Sequence, residues 1–453
     1  MSLQESVKKL YEFRDFFFED HSSELADKKT ELLASELNKT LKLFVKEKDE
    51  SDSCKNAESE LLKAKALNVL PEYSPEAFEI LTKLVKFHPR LVDALNELGL
   101  CFWKKGDVKA AKKCFENALR EGKNAESLQN LSMILRQLGE TPEEKQKNML
   151  ESLEKAKEAV EVNDDGKSWY IVGNANLSLF FSLNQSPNYL KESLLAYNHA
   201  SQDKAMKCNP DLYYNWAMAL KYDENYKLTL EKLELSIKYD PLWTKPQEEL
   251  ESLVNHLKNI QLMISTKGKL KSRKIREIIS ALKKELDNSN STETFVNSIG
   301  RSETYQHSKI SDLQEGSNTG KMLKGKVACH VYCSNSLPFT FCLLDEKENC
   351  FAVNVYNMAQ GKGVIIGDSV IILDPHIQHF NFEFKDNTYA FSSIRVNSPL
   401  QLVANKRRFG RDTVATPQLS VIVKKCTRQK GYLQAVTNKT VTFQGEHNLV
   451  TFQ

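Results

Sequence analysis

A block of ten residues in the middle of the chain concentrates positive charge without any acidic residue. The block is KGKLKSRKIR at 267–276, which holds six Lys or Arg side chains. Because closely spaced cations bind phosphate groups, this composition favours a phosphate-rich partner such as RNA. A solvated helix start has the same composition, and the sequence leaves both interpretations open. The candidate RNA-binding residues are Lys269, Lys271, Arg273 and Lys274.

Motifs for metal binding and catalysis are weak. Cys329, His330 and Cys333 form a C-H-x-x-C pattern, but no second pair follows at the spacing of a zinc site, and we expect no metal. The sequence contains no G-x-x-x-x-G-K-S/T loop, and no G-x-G-x-x-G after a predicted strand. No Ser/His/Asp or Cys/His set has support from its sequence context. We predict a protein that is not an enzyme and uses no cofactor.

The elements that would position binding residues fall into two classes, which meet near residue 320. Before it, apolar residues recur at three- and four-residue spacing, which predicts helices. These helices repeat as pairs of about 34 residues, with small side chains where paired helices cross, as in a tetratricopeptide repeat (TPR). The best copy, Val92 to Asn124, has Gly99 and Ala111 at small positions and Phe115 between them. Weaker copies in register include Ala64, Ser132, Gly173 and Ala217.

We predict N-terminal helices in 1–55 and a TPR superhelix over 56–265. Its last element, Trp243 to Ser265, would be the solvated closing helix that such a stack needs. A generic helical bundle is the alternative, but it does not explain small residues recurring in register through five segments. TPR stacks curve, so that the first helices of the pairs line a groove for an extended peptide.

The first helix of each predicted repeat places mixed polar side chains in this groove. Arg136 can bind a carboxylate through two hydrogen bonds, whereas Asp211 can bind a cation, and Asn side chains can hold a peptide main chain. The alternative for each side chain is a solvated helix face. Asn96 and Leu100 do not match the Lys and Asn with which some TPR grooves clamp the acidic tails of chaperones. The candidate peptide-binding residues are Asn96, Trp103, Gln129, Arg136, Tyr170, Asn174, Asp211 and Tyr214.

After residue 320, short Val, Ile, Phe and Tyr runs alternate with turn residues. We predict a small all-β barrel of the OB type over 320–405, with strands at 323–333, 338–345, 350–356, 369–374, 377–384 and 388–396. Aromatic residues such as Phe339 and Tyr356 could bind single-stranded nucleic acid, although core packing is the simpler role. Before the barrel, 266–319 should be a basic helix start followed by a Ser/Asn-rich flexible linker. After it, 406–453 should be a basic, mostly loose tail.

Composition points to an intracellular, soluble chain. The net charge of +3 is nearly balanced over 453 residues, and nine cysteines are scattered, mostly in apolar stretches, which indicates reduced thiols. The first 20 residues mix Lys, Glu and Asp and do not read as a signal peptide. No apolar run is long enough to span a bilayer, and we expect no membrane partner.

Several segments together resemble the family of tetratricopeptide repeat protein 5, also called Strap. They are SLQNLSMILRQL at 127–138, GKSWYIVGNANLSLFFS at 166–182, KGKLKSRK at 267–274 and FSSIRVNSPLQLV at 391–403, in the order the family has them. The long stretch LPFTFCLLDEKENCFAVNVYNMAQGKGVIIGDSVIILDP at 337–375 is similar to the family's OB domain. The similarity extends from about Tyr11 to Val403.

This resemblance implies an adaptor at the ribosome. Such a protein binds the N-terminal Met-Arg-Glu motif of nascent α- and β-tubulin in the TPR groove and recruits mRNA decay factors through an adaptor. The family's groove arginine and aspartate fall on Arg136 and Asp211, and its ribosome-contacting lysines fall on Lys271 and Arg273. We expect Arg136 to pair with the peptide glutamate and Asp211 with the peptide arginine. At the end of the groove, where the family has an acidic residue, this sequence has Lys245. This departure weakens the case for a family-like binding subsite at that end.

The family also implies a second role, as a nuclear, stress-responsive cofactor of a histone acetyltransferase in the response to DNA damage. We therefore expect the chain in both cytoplasm and nucleus. A co-chaperone of heat-shock proteins and a single-strand binder acting through the OB face are lower-ranked alternatives. Which decay factor docks, where it docks, how free tubulin regulates binding, and the oligomeric state do not follow from the sequence.

Overall fold

A computed structural model describes residues 2–46, 53–183, 185–288, 290–296, 300–332 and 338–415, together with short strands at 441–442 and 451–452. The chain divides into two compact units, whose main segments are Met1–Gln247 and Glu248–Pro417. The first unit is helical, and the second consists mainly of β-strands.

The helices of the first unit follow one another as antiparallel neighbours. Ahead of the repeats lie α1 (Leu3–Asp15), α2 (Phe17–Asp20), a 3₁₀ segment (Ser23–Lys28) and α3 (Lys29–Lys46). The pairs are α4 (Ser53–Leu67) with α5 (Pro75–Phe87), α6 (Val92–Lys105) with α7 (Val108–Glu121), α8 (Ala125–Leu135) with α9 (Pro142–Val162), α10 (Gly166–Ser182) with α11 (Pro187–Gln202), and α12 (Pro210–Tyr222) with α13 (Tyr226–Tyr239). A 3₁₀ turn (Lys204–Met206) precedes α12, and α14 (Thr244–Ser265) follows α13.

Polar caps decide where the repeat helices begin. The side chains of Ser74, Asp107, Asn124 and Asp165 accept hydrogen bonds from the backbone N–H groups at the starts of α5, α7, α8 and α10. Asn209 does the same for α12. Because these N–H groups have no partner within the helix, each cap stabilises a defined start. The length of each repeat is therefore encoded locally.

Small residues lie where paired helices cross, which confirms the TPR prediction. A Cβ at Gly99 would lie 2.5 Å from Phe115 Cε1, and one at Gly173 would lie 2.5 Å from Tyr197 Cε1. In the third pair, the Ser132 hydroxyl donates to the carbonyl of Ser152 at 2.8 Å. Each close approach lets an aromatic ring or a hydroxyl from one helix reach the backbone of the other. The generic bundle does not account for this recurring geometry.

The N-terminal helices connect early and late helix pairs of the stack. Val7 of α1 and Leu37 of α3 share a buried cluster with Ala66 of α4. Phe17 and Phe18 of α2 belong instead to the cluster that contains residues of α10 and α12. Burial of apolar surface at both ends holds this segment beside the first helices of the repeats.

The second unit contains most of α14, one further helix and a curled sheet. After a 3₁₀ turn (Lys267–Lys269) and α15 (Ser272–Asp287), the strands are β1 (Thr292–Val296), β2 (Ser302–His307), β3 (Gly316–Ser317), β4 (Lys321–Val331), β5 (Phe339–Leu344), β6 (Cys350–Val355), β7 (Ser369–Leu373), β8 (His376–Phe384), β9 (Asn387–Val396), β10 (Leu402–Ala404) and β11 (Arg407–Arg408). Further 3₁₀ turns lie at Ile310–Asp312, Pro399–Gln401 and Arg411–Thr413. Separately, β12 (Val441–Thr442) pairs with β13 (Thr451–Phe452).

The strands of the second unit form one curled sheet, whose two main end strands are adjacent in the chain. The main order is β7-β4-β5-β6-β9-β8, and only Asp374 and Pro375 separate β7 from β8 in the chain. Phe341, Leu343, Val353 and Ile394 point to its interior as part of one buried cluster. This curled sheet matches the predicted OB-type barrel, and its six main strands coincide with the predicted ones to within two residues.

The prediction of a flexible linker before the barrel is wrong for residues 292–307. The strands β1 and β2 form an antiparallel hairpin, and β2 pairs in parallel with β4. Tyr305 is only 5% exposed and packs with Met322, Leu373 and Val403. The stretch is polar, but alternation places Phe295 and Tyr305 on one face, and pairing with β4 satisfies the backbone. Low apolar content alone therefore did not indicate disorder here.

The prediction of a loose tail is wrong for residues 406–415. Arg407 and Arg408 pair with β10, and Lys362 contacts Asp412 at 3.0 Å. The β unit therefore continues to about residue 415 rather than ending at 405. Apart from β12 and β13, the predicted tail from residue 416 onward lies outside the described residues.

Lys326 attaches α15 to the barrel, and its removal provides a first test. Its Nζ lies 2.8 Å from Glu285 Oε1 and 2.6 Å from Ser369 Oγ. We expect Lys326→Met to accelerate hydrogen exchange in α15 by about fivefold, a modest effect because Glu285 is half exposed. Lys283→Met, at an exposed position of the same helix, is the control and should leave exchange unchanged. Equal exchange in both variants would contradict this role.

The same contact should depend on pH. Burial works to raise the pKa of Glu285, but hydrogen bonds from Lys326 and Ser369 outweigh it and hold the pKa below its ordinary value of 4.5. The carboxylate therefore stabilises the docked helix above about pH 4.5, and this contribution is lost as pH falls through the lowered pKa. The difference in exchange between wild type and Lys326→Met should shrink over that acidic range.

Candidate peptide-binding groove and basic segment

Arg136 is a buried arginine at the end of the first helix of its repeat. It follows the last residue of α8, is 8% exposed, and its Nε has no hydrogen-bond acceptor among the described residues. Burial lowers the pKa of Arg136, and the neighbouring Tyr170 and Tyr197 act in the opposite direction. Because a buried unpaired guanidinium is unfavourable, this position is prepared to bind a carboxylate.

A hydrogen-bond network of two tyrosines and two asparagines lies beside Arg136. The Tyr197 hydroxyl donates to Asn174 Oδ1 at 2.8 Å, and Asn215 Nδ2 donates to the same oxygen at 3.0 Å. Asn215 Nδ2 also lies 3.3 Å from the Tyr170 hydroxyl. The network joins α10, α11 and α12 and holds their polar side chains in one orientation.

The charges of Asp211 and Arg136 shift the pKa of the Tyr170 hydroxyl in opposite directions. Burial raises the pKa of the Tyr170 hydroxyl, the Asp211 carboxylate raises it further, and Arg136 lowers it. Asp211 lies in the first turn of α12, immediately after the capped start. A cation and an anion are therefore both within electrostatic reach of one hydroxyl, which suits a peptide that carries both signs of charge.

Four other predicted groove residues have structural roles in this fold. The amide of Asn96 is engaged, since it accepts from Ser127 Oγ at 2.6 Å and donates to Asn124 Oδ1 at 3.4 Å. Gln129 Nε2 donates to Ser168 Oγ at 2.7 Å and joins α8 to α10. The prediction that these two amides are available to a peptide is therefore not supported. The other two residues are aromatic and pack inside the protein. Tyr214 is fully buried against Trp243, and Trp103 is half-buried against the apolar cluster of α7 and α8.

The sequence reasoning missed two asparagines and one tyrosine of this region. Asn130 and Asn215 are buried side chains, each with an amide atom that has no partner among the described residues. Tyr197 provides the hydroxyl that orients Asn174. The available signal was repeat register, because Asn130 and Asn215 each lie two residues before the small residue of a first helix, Ser132 and Ala217.

The N-terminal helices form one wall of an acidic cavity of about 1030 Å³. The other walls come from α4, α6 and the turn before α12, so that Asp93 and the buried Glu97 face this space. Burial raises the pKa of Glu97, while Asn68 and Lys65 counteract the shift. The acidic lining residues are Glu12, Asp15, Glu19, Asp20, Glu58, Asp93, Glu97 and Asp203, against Lys8, Lys65 and Lys204. Such a lining suits a cationic segment.

The basic segment of the second unit begins with a left-handed turn. Lys267, Gly268 and Lys269 all have positive φ, and a Cβ at Gly268 would lie 2.6 Å from Cys329 Cβ. Glycine is therefore required at the centre, where the turn presses on β4. The two flanking lysines differ, since Lys267 pairs with Glu348 at 3.2 Å and Lys269 is exposed.

The predicted RNA-binding cations are not equivalent. Arg273 and Lys274 share Glu277, at 3.1 and 3.7 Å. Lys269 and Lys271 are exposed and make no ion pair within the described part of the chain. Of the four predicted cations, these two therefore present the least neutralised charge.

Neither metal nor membrane chemistry gains support. Cys329 faces Cys342 across β4 and β5, both as free thiols, whereas Cys333 lies outside the described residues. Within the described ranges, no three or more His, Cys, Asp or Glu side chains are placed to hold a metal ion. None of the helices in that part of the chain is both long and apolar enough to cross a membrane.

Stacked helix pairs around a polar groove, joined to a curled β domain, define a TPR protein of the adaptor type. The sequence model described as "Tetratricopeptide repeat protein 5 OB fold domain" matches residues 304–418. Tetratricopeptide repeat protein 5 of Homo sapiens is 40% identical over 416 residues, covering 91% of this chain and 94% of that protein. The Mus musculus protein is 41% identical over 406 residues, covering 89% and 92%. The chain belongs to the tetratricopeptide repeat protein 5 family.

Solved structures are more distant. The crystal structure of YrrB, "a TPR protein with an unusual peptide-binding site", is 22% identical with a TM-score of 0.30, covering 47% of this chain and 97% of that one. A similarity at this level carries no functional argument.

Proposed function

We propose that this chain is an adaptor for tubulin autoregulation. Its TPR groove would bind the N-terminal Met-Arg-Glu motif of nascent α- or β-tubulin, its basic segment would bind the ribosome, and it would recruit an mRNA decay adaptor. The observation that carries the proposal is the buried Arg136 beside Tyr170: its Nε has no hydrogen-bond acceptor among the described residues, and the Asp211 charge also acts on the Tyr170 hydroxyl. An arginine next to a glutamate in the ligand complements this pair of charges.

The basic segment supports the ribosomal part of the proposal. Lys269 and Lys271 are exposed cations close to the start of α15, and ribosomal RNA is a dense array of phosphates. Contacts of this kind release counterions, so binding should weaken steeply as salt rises. The groove would supply specificity for the nascent chain, and the basic segment would supply attachment independent of its sequence.

A single capture assay tests both parts. Stalled ribosomes carrying nascent chains that begin Met-Arg-Glu or the charge-swapped Met-Glu-Arg are incubated with the immobilised protein. We expect the swapped sequence to reduce capture about tenfold or more, since it brings like charges together at Arg136 and Asp211. Lys271→Glu with Arg273→Glu should lower capture for both nascent chains.

The matched control is Lys283→Glu with Lys284→Glu, which makes the same charge change at exposed positions further along α15. It should leave capture close to that of wild type. Equal capture of the two nascent chains would refute groove recognition, and equal loss in both double variants would show that net charge alone governs attachment.

The nuclear role remains the second candidate, in which the chain binds a histone acetyltransferase coactivator during the response to DNA damage. It requires a nuclear pool and predicts partner binding that survives Lys271→Glu with Arg273→Glu. Recovery of nuclear partners with this variant, in the absence of ribosomes, would support that role. The two functions are compatible with one chain that occupies both cytoplasm and nucleus.

A further inference from the structure

Three cysteines lie on the outer face of the curled sheet, on three neighbouring strands. Cys329 of β4 is directly opposite Cys342 of β5, and Cys350 begins β6 on the same face. The residues on either side of Cys342, Phe341 and Leu343, belong to the buried cluster inside the barrel. Since side chains alternate along a strand, Cys342 points outward. Pairing of the strands therefore brings together thiols that are well separated in the sequence, and all three are free.

The opposed pair Cys329 and Cys342 has the geometry that a disulfide needs. Opposed residues of antiparallel strands have Cα atoms about 4.5–5.5 Å apart, and disulfides join Cα atoms about 4.4–6.8 Å apart. Cys350 is opposite Leu344 instead, which makes it a diagonal neighbour of Cys342 at about 7–8 Å. The opposed pair is therefore the one that can form a disulfide without a shift of the backbone.

The two thiols of this pair differ in acidity. The neighbouring Cys342 lowers the pKa of the Cys329 thiol below its ordinary value of 9.0, although burial acts in the opposite direction. The pKa of the Cys342 thiol is raised instead, by Cys329, by Cys350 and by burial. Because the thiolate is the reactive form of cysteine, Cys329 is the nucleophile of the pair and Cys342 is the thiol that follows it.

A basic turn covers Cys329. Gly268 packs so closely on it that an added Cβ would lie 2.6 Å from the Cys329 Cβ and 2.9 Å from its Sγ. The turn is also held by Lys267, whose Nζ lies 3.2 Å from Glu348 Oε2 in the loop between β5 and β6. Cys329 is only 6% exposed as a result. Access of a small oxidant to this thiol therefore requires movement of the turn, which also carries the exposed Lys269.

We propose that Cys329 and Cys342 form a site of reversible oxidation by peroxide, protected by the turn Lys267–Lys269. The Cys329 thiolate attacks one oxygen of hydrogen peroxide: an S–O bond forms, the O–O bond breaks, and the released hydroxide takes up the proton that Cys329 lost. The Cys342 sulfur then attacks the sulfenic acid, so that the S–S bond forms and the S–O bond breaks. The hydroxide leaves with the Cys342 proton as a second water. The two thiols lose two electrons, and one peroxide is reduced to two waters.

Peptide mapping of the whole protein tests the site. Reduced protein is treated with hydrogen peroxide, free thiols are blocked, and disulfide-linked peptides are identified by mass. We expect the Cys329–Cys342 disulfide to form at least about tenfold faster than Cys208 is oxidised, because burial and Glu19 raise the pKa of the Cys208 thiol to about 11. Dithiothreitol, itself oxidised to a cyclic disulfide, should restore both thiols. A linkage between Cys342 and Cys350, or oxidation no faster than at Cys208, overturns the proposal.

A pair of variants tests the role of the turn. Glu348→Gln removes the charge that holds Lys267, and we expect the disulfide to form about threefold faster. Glu346→Gln, in the same loop, removes a partner of Lys309 at 2.9 Å instead and is the matched control, with an unchanged rate. In wild type, oxidation should accelerate amide exchange within the turn, because the sulfur beneath it has moved toward β5. Equal rates in the three proteins, with equal exchange in the two oxidation states, would refute protection by the turn.

Discussion

Replacing Arg136 with methionine is expected to strengthen the helical unit while removing peptide binding. The guanidinium is buried and its Nε has no acceptor among the described residues, so the free protein carries an unfavourable desolvated charge. A methionine of similar length removes that penalty, and we expect the free energy of unfolding to rise by about 1–3 kcal/mol. Affinity for a Met-Arg-Glu peptide should fall about a hundredfold, roughly 3 kcal/mol, because the peptide carboxylate loses its partner.

Urea unfolding and peptide titration on the same preparations check both parts. Arg120→Met, at an exposed position of α7, should change stability by less than about 0.5 kcal/mol and leave affinity unchanged. Arg136→Lys keeps the charge but loses the two-pronged contact, and we expect intermediate affinity. A clear loss of stability in Arg136→Met would show that the arginine supports the fold rather than awaiting a ligand.

Tyr197→Ala should have the largest effect on stability. The ring is fully buried against Gly173, and its hydroxyl donates to Asn174 at 2.8 Å. Loss of a buried aromatic ring and the cavity it leaves destabilise a protein by about 3–5 kcal/mol. Because Asn174 also accepts from Asn215, peptide affinity should fall as well, although Tyr197 need not touch the ligand.

A second substitution tests the close approach itself. In wild type, Gly173→Ala would place a Cβ 2.5 Å from Tyr197 Cε1 and 2.6 Å from Cδ1, and overpacking of this kind costs about 1–3 kcal/mol. In the Tyr197→Ala background the ring is absent, so the same change should be neutral or stabilising, since alanine favours a helix by about 1 kcal/mol over glycine.

The double-mutant cycle in chemical denaturation should therefore show a change of sign. Gly122→Ala, where an added Cβ meets nothing within 4 Å, is the matched control and should behave alike in both backgrounds. An unchanged effect of Gly173→Ala in the two backgrounds would mean that Tyr197 does not pack on the glycine as the structure has it.

Much of the fold was accessible from local patterns. The recurrence of Gly99, Ser132, Gly173 and Ala217 predicted paired helices, because a close crossing excludes large side chains whatever else surrounds it. Alternation of apolar residues located the six main strands of the barrel, since a strand with one buried face imposes a period of two. Both patterns involve residues that are close together in the sequence, so they can be recognised without knowing which distant residues pack against them.

The β1–β2 hairpin shows where such reasoning fails. Tyr305 and Phe295 are isolated aromatic residues in a polar stretch, and nothing local indicates that they are buried. Their burial depends on pairing of β2 with β4 and on packing against Leu373 and Val403, up to about a hundred residues away. A polar strand has an amino-acid composition similar to that of a disordered segment when its partner strand supplies most of the apolar surface.

The same distinction holds in the groove. Sequence alone determined which residues carry charge, that Arg136 and Asp211 lie in or directly next to first helices of repeats, and that 267–276 is a cationic block. Tertiary structure decided which polar groups remain unpaired, because hydrogen-bond satisfaction depends on helices separate in sequence. Asn96 and Gln129 find partners in neighbouring helices, whereas Asn130, Asn215 and Arg136 each retain an atom without one. The residue type determines the charge, but the surrounding helices determine whether a polar atom is left to bind a ligand.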